Sequence, residues 1–151
     1  MIALADCAIT VTNARESARW WNENLGFAVH TVGNGTHAVM VAPPGDSFVL
    51  HLCEGFAPVE PGNSGVAFVT DAIEPLVRRM EAGGVEFPTP LKKGPGGSMA
   101  MFADPDGNVF WLFEMSTAFI RRERRRIAKA APAPRSQRTA RVATKRPRTR
   151  R

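Results

Sequence analysis

The sequence predicts an α+β domain made of two copies of a strand–helix–three-strand unit, followed by a basic extension. Three observations carry this. Partly alternating, β-branched segments are interrupted twice by stretches whose apolar residues recur at helical spacing. Landmarks of the two halves share one offset: Val11 and Val69, Asn13 and Asp71, and Gly26 and Gly84 each lie 58 residues apart, as internal duplication would leave them. Charge is sharply divided. Residues 1–120 carry 6 Lys+Arg against 13 Asp+Glu, a net of −7, whereas residues 121–151 carry 14 Lys+Arg and only Glu123, a net of +13.

The elements follow in order. Residues 8–12 (AITVT) read as a strand. Asn13, with Glu16 three residues later, forms a capping-box pattern, and Ala14, Ala18, Trp21 and Leu25 mark one helix face that Gly26 ends. A strand is expected from Phe27 to Val32, a turn at Gly33-Asn34-Gly35, and strands at His37–Val41 and Phe48–Cys53 around the Pro43-Pro44-Gly45-Asp46 break. The second unit opens with a strand at Val66–Thr70 and repeats the capping pattern with Asp71 and Glu74, although Pro75 sits awkwardly in the first turn. Ile73, Leu76, Val77 and Met80 give the apolar stripe and Gly83-Gly84 the stop. Strands are expected at Val85–Phe87, Ser98–Phe102 and Val109–Phe113, with Lys92–Gly97 as a loop that reads first as an ordinary flexible connection and second as a segment closing over a ligand. Asp104-Pro105-Asp106-Gly107-Asn108 is a tight turn before the last strand. Each unit is thus a sheet with one helix, and two such sheets side by side can curl around a shared cleft.

The 151 residues suit one domain. No apolar run approaches the length of a membrane span, and the N-terminal MIALADCAIT lacks the basic and apolar regions of a secretory signal. Cys7 and Cys53 are too few for a disulfide framework, so a reducing cytoplasm is the expected setting.

Two motifs at these positions resemble a known family. VTNARESARWWNENLGF (11–27) is similar to the opening, and FADPDGNVFWLFE (102–114) to the closing motif, of the vicinal oxygen chelate superfamily of glyoxalases, bleomycin-resistance proteins and extradiol dioxygenases. The resemblance covers residues 3–116. It implies two paired βαβββ modules, about 3–56 and 64–116, forming an open barrel-like cleft within a domain of residues 1–117, and it implies a homodimer. In the family's metalloenzymes a divalent ion (Fe, Mn, Ni or Zn) polarises substrate oxygens. The corresponding ligand positions here are Asp6, His51, Gly65 and Trp111. Asp and His can bind a metal, but the Gly and Trp side chains cannot.

Trp111 therefore stands where an ion-holding glutamate would be expected. By the period-two rule it shares a strand face with Val109 and Phe113, and it either fills the cleft as core or offers a stacking wall to a planar ligand. His51 and Cys53 lie two apart on one strand. With Asp6 they form a mixed metal site, a reactive Cys/His pair, or a hydrogen-bonded histidine beside an inert thiol. Glu54 and Glu114 are the other carboxylates to consider as ligands, although Glu114 should face away from Trp111. His30 and His37 read as surface or sheet-edge residues.

Residues 118–151 form a basic tail. Ser116 or Thr117 can cap a short helix reaching Ala131, where Pro132 and Pro134 stop it, and the remainder has the composition of a disordered segment. Arg121, Arg122, Arg124, Arg125, Arg126, Lys129, Arg146 and Arg148 are the candidate contacts to nucleic-acid phosphates, and residues 121–151 hold no aromatic for base stacking. The leading expectation is a small-molecule binder similar to bleomycin-resistance (antibiotic-resistance) proteins. Its ligand would be planar or cationic, held without a full metal site by Trp111, Phe113, His51, Asp6 and Cys53. The alternatives are a metal-dependent glyoxalase-type lyase, isomerase or dioxygenase, and a nucleic-acid-associated protein acting through its tail.

Overall fold

The computed structural model describes residues 6–32, 39–46, 48–95 and 97–130. The Gly33-Asn34-Gly35 turn, His37, and the tail beyond residue 130, with Arg146 and Arg148, lie outside the described residues.

The first unit runs β1 (Cys7–Val11), α1 (Ala14–Leu25), β2 (Ala28–Thr31), β3 (Val39–Ala42) and β4 (Leu50–Glu54). The second runs β5 (Gly62–Thr70), α2 (Ile73–Ala82), β6 (Thr89–Gly94), β7 (Gly97–Ala103) and β8 (Asn108–Glu114), and α3 (Thr117–Ala130) follows. The two four-stranded sheets have the same connectivity, β1-β4-β3-β2 and β5-β8-β7-β6, each with one parallel pair and two antiparallel pairs. The duplicated pattern of the sequence is thus a duplicated topology.

Each sheet buries one face. Leu50 and Leu52 on β4, and Phe110 and Leu112 on β8, are almost wholly excluded from solvent, while the alternate residues His51, Cys53, Val109, Trp111 and Phe113 are half-buried. The buried faces and the apolar stripes of α1 and α2 share one core. At its centre Trp21 lies within ring-contact distance of Phe27, Phe68, Phe102 and Phe110, joining α1 to three strands of the second sheet.

Local capping signals act as expected on α1. Asn13 Oδ1 accepts from the backbone N–H groups of Arg15 and Glu16 at 3.1 and 3.0 Å, and Gly26 ends the helix at φ 71°. A carboxylate distant in sequence adds to this: Glu54 Oε2 accepts from Ala14 N at 3.0 Å. Glu114 Oε1 does the same for Ile73 N of α2, at 3.4 Å. Each module therefore ends its last strand with a glutamate that meets the positive end of its own helix. Replacing Glu54 with alanine is expected to cost about 0.5–2 kcal/mol, the range for losing a helix cap, read as a fall in thermal midpoint. An unchanged midpoint would show that the bond contributes nothing.

Four expectations are corrected. Asp71 does not cap α2. The residue before that helix is Ala72, which has no capping side chain, and Asp71 instead accepts from Thr117 N (2.9 Å) and Thr117 Oγ1 (2.7 Å) at the start of α3. These bonds hold the Asp71 carboxyl below its ordinary pKa, with the Arg121 charge assisting. Val85–Phe87 is not a strand. Val85 N bonds to Met80 O at 3.0 Å, so this segment completes the helix stop, and pairing begins at Thr89. Lys92 and Lys93 are not in a loop: they pair with Met99 and Ser98 in the β6–β7 hairpin, and Gly94 pairs with Gly97. Finally, β5 begins at Gly62 rather than Val66, with an irregularity between Asn63 and Ala67 that accommodates Gly65 at φ 71°.

The turn at 104–108 joins the modules. Asp106 Oδ1 accepts from Thr12 N at 2.9 Å, and Asn108 Nδ2 donates to Thr10 O at 3.1 Å, so the end of β1 is tied to the β7–β8 turn.

Candidate functional site

The candidate side chains occupy the half-buried faces of the two sheets. On β8, Trp111 and Phe113 stand one above the other with ring centroids 5.9 Å apart and planes only 5° from parallel. Their cross-strand neighbours extend the same face: Ala67 and Met101 flank Trp111, and Val69 and Met99 flank Phe113. The indole N–H is oriented by Asn63, whose Oδ1 accepts from Trp111 Nε1 at 3.3 Å. Sequence reading did not single out Asn63, because its role depends on the β5–β8 register. The result is a flat, partly solvated aromatic wall, whereas the core rings Phe102 and Phe110 are closed off from solvent.

A cavity of about 320 Å³ adjoins this wall, bordered by Phe113, Met99 and Met115 with Lys92, Lys93 and Glu114. Its size falls at the lower end of small-ligand pockets. Lys93 forms an ion pair with Glu74, which raises the lysine pKa and lowers that of the carboxyl. The segment expected to be a loop is therefore a paired hairpin bordering the cavity.

The first sheet brings Asp6 and His51 together. Asp6 Oδ2 lies 3.7 Å from His51 Nδ1, close enough for attraction when the imidazole is protonated but too long for a hydrogen bond. Cys53 sits on the same face of β4. Burial raises its thiol pKa, and the Asp6 charge adds to that effect. Both disfavour the thiolate, so the geometry makes Cys53 a poor nucleophile rather than an activated one. Trp111 and Phe113 make their ring and polar contacts within the second sheet, apart from this group. His30 lies exposed on the edge strand β2.

The donors do not fit a catalytic divalent ion. Position 65 offers no side chain, and the indole of Trp111 is a donor already engaged with Asn63. Glu54 and Glu114 are turned to the helix N-termini. Among the described residues, no three His, Cys, Asp or Glu side chains gather with metal-holding geometry. No helix among the described residues is long and apolar enough to cross a membrane.

Comparison with known proteins agrees with this architecture. The uncharacterized protein YetH of Bacillus subtilis (strain 168) is 28% identical over 112 residues, covering 71% of this chain and 93% of YetH. TnmS3, an antibiotic-binding protein from Streptomyces sp. CB03234, is 31% identical with a TM-score of 0.61, covering 77% of this chain and 99% of that one. A superfamily member from Sphaerobacter thermophilus DSM 20745 shares the fold at a TM-score of 0.68 and 24% identity, covering 76% of this chain and 98% of that one. Residues 3–112 match the family model for this fold, and the chain belongs to the Glyoxalase/Bleomycin resistance protein/Dioxygenase superfamily.

Proposed function

We propose that this protein binds a planar or cationic small molecule by stacking it on the Trp111–Phe113 wall, without a metal ion. The observation that carries this reading is the near-parallel pair of half-exposed rings, beside a cavity and backed by methionines that adapt to ligand shape. Residues 1–120 carry a net charge of −7, which makes the domain, as distinct from its basic extension, the part suited to a cation. Likeness to TnmS3, an antibiotic-binding protein, supports a similar ligand class and a role in antibiotic resistance. In this reading His51, Asp6 and Cys53, grouped on the first sheet, are polar contacts for a ligand that extends beyond the wall. In the same reading the chain acts as a homodimer, the state the family resemblance implies.

Titration with bleomycin and with the planar cation proflavine, followed by tryptophan fluorescence, tests this. Saturable quenching is expected, and Trp111→Ala should abolish it while Trp20 and Trp21 still report a folded domain. Quenching that survives Trp111→Ala would sink the stacking role. Dialysis against EDTA should leave the wild-type titration unchanged. Loss of binding after EDTA would return the protein to metal-dependent chemistry.

A further inference from the structure

We propose that α3 is a duplex nucleic-acid-binding ridge, docked on the domain by two aspartates and presenting its arginines to a phosphate backbone. The first support is the way the helix is held. Asp71 clamps its N-terminus through Thr117, and Ser116 Oγ accepts from Phe119 N at 3.2 Å as a local cap. Two turns further on, Arg124 Nη1 donates to both oxygens of Asp46, at 3.0 and 3.2 Å. Asp46 lies in the β3–β4 connection of the first module and Asp71 lies at the end of β5 in the second, so the helix is fixed to both. Arg124 therefore faces the domain, a role different from the phosphate contact expected of it.

This docking orients the remaining cations. Ala118, Arg122, Arg125 and Lys129 follow at i, i+4, i+7 and i+11, one face of a helix, with Arg121 and Arg126 beside them. Arg121, Arg122, Arg125, Arg126 and Lys129 line a groove of about 430 Å³. The sole acid of α3, Glu123, is shared between Arg122 (3.4 Å) and Arg126 (3.1 Å). Among the described residues, Arg125 and Lys129 have no acidic partner. A row of guanidinium groups with so little internal neutralisation matches a polyphosphate in charge and in bidentate geometry.

Nucleic acid suits the ridge better than a lipid surface does. A membrane-surface helix needs a continuous apolar face. Here Ile120 is half-buried, and the exposed Phe119 ring carries Arg122 over it, the guanidinium carbon 5.3 Å from the ring centroid. Exposed Ile127 lies eight residues from Phe119, and between them stand Arg121, Arg122, Arg124, Arg125 and Arg126, so the two do not make a continuous apolar face. In sequence, residues 131–151 add eight Lys+Arg and no acid to the charge of the extension. The one aromatic of α3, Phe119, lies at its first turn and is engaged by Arg122, and the ridge beyond it has no ring to stack against bases, so a duplex is favoured over a single strand.

The test uses the full chain and a fluorescein-labelled 20-base-pair duplex in anisotropy titrations across a salt series. Binding should weaken steeply with salt. In Arg125→Gln/Lys129→Gln, the log–log salt slope should fall by about 1.8, at roughly 0.9 per lost phosphate contact. An unchanged slope and affinity in the double variant would overturn the assignment to α3, leaving any binding to residues 131–151. Tighter binding to oligo(dT) of equal phosphate number, or to phosphatidylserine-containing vesicles, would overturn the choice of duplex. Circular dichroism of the variant, matching the wild type, guards against loss of the helix.

Discussion

Trp21→Ala is expected to cost about 3–5 kcal/mol of folding stability, enough to leave much of the protein unfolded at physiological temperature. Trp21 is fully buried, with its ring 5.1 Å from Phe27, 5.7 Å from Phe68, 6.0 Å from Phe102 and 4.9 Å from Phe110. These rings come from the first module and from three strands of the second, so one side chain carries much of the packing between the modules. Urea denaturation should show a lower midpoint with a single transition and an unchanged slope. Two transitions would mean that the modules fold independently and that the shared core is not cooperative. Trp21→Phe separates shape from chemistry. The indole Nε1 is buried with no hydrogen-bond partner among the described residues, so removing it recovers part of what the smaller ring loses. Phenylalanine is therefore expected to cost far less than alanine. Equal losses for the two would overturn the argument from ring packing.

The second large effect belongs to the turn before β8. Asp104→Ala is expected to destabilise by roughly 2–4 kcal/mol, since each buried donor left without a partner costs about 1–3 kcal/mol. Asp104 Oδ1 accepts from Asp106 N (3.0 Å) and Asn108 N (2.9 Å), and its Oδ2 accepts from Asn108 Nδ2 (2.8 Å). That last bond aims the Asn108 amide at Thr10 O, so loss of the carboxylate also loosens the tie between the modules. Gly107 completes the turn. Its φ is +80°, and a Cβ there would approach Pro61 Cβ to 2.9 Å, so both conformation and space require glycine.

Asp104 also leaves a signature in pH. Burial raises its pKa above the ordinary carboxylate value of 3.8, outweighing the hydrogen bonds from Asn108 that lower it. The folded state thus holds this proton more tightly than the unfolded state. Its contribution to stability is greatest below pH 3.8 and is lost as pH rises through the folded pKa. The stability difference, wild type minus Asp104→Asn, should therefore fall between acid and neutral pH. A difference that stays flat, or rises, would contradict a raised pKa.

Much of the architecture was legible because its signals are local. Asn13 reaches N–H groups two and three residues on, Gly26 adopts a conformation other residues resist, and the alternation along β8 separates Phe110 and Leu112 from Trp111 and Phe113. Both helices and the repeat followed from such patterns. The pairing of Lys92 and Lys93 with Met99 and Ser98 was not legible, because two lysines beside Gly-Pro-Gly-Gly have the composition of a loop and only the hairpin register makes them a strand. The local pattern of Asp71 and Glu74 misled, since a partner 46 residues away competed for the Asp71 carboxylate.

The sequence by itself determined the duplicated βαβββ order, the poor set of metal donors and the placement of Trp111 and Phe113 on one strand face. Those properties depend on residue type and on spacing within a segment. The tertiary structure decided that Asn63 orients the indole, that Glu54 and Glu114 serve the helices, and that Arg124 reaches across to Asp46 of the first module. Each of these joins groups at least 41 residues apart, except the Glu54–Ala14 bond at 40. At that separation chain connectivity imposes no geometry, and the partner is chosen by how the sheets and helices pack.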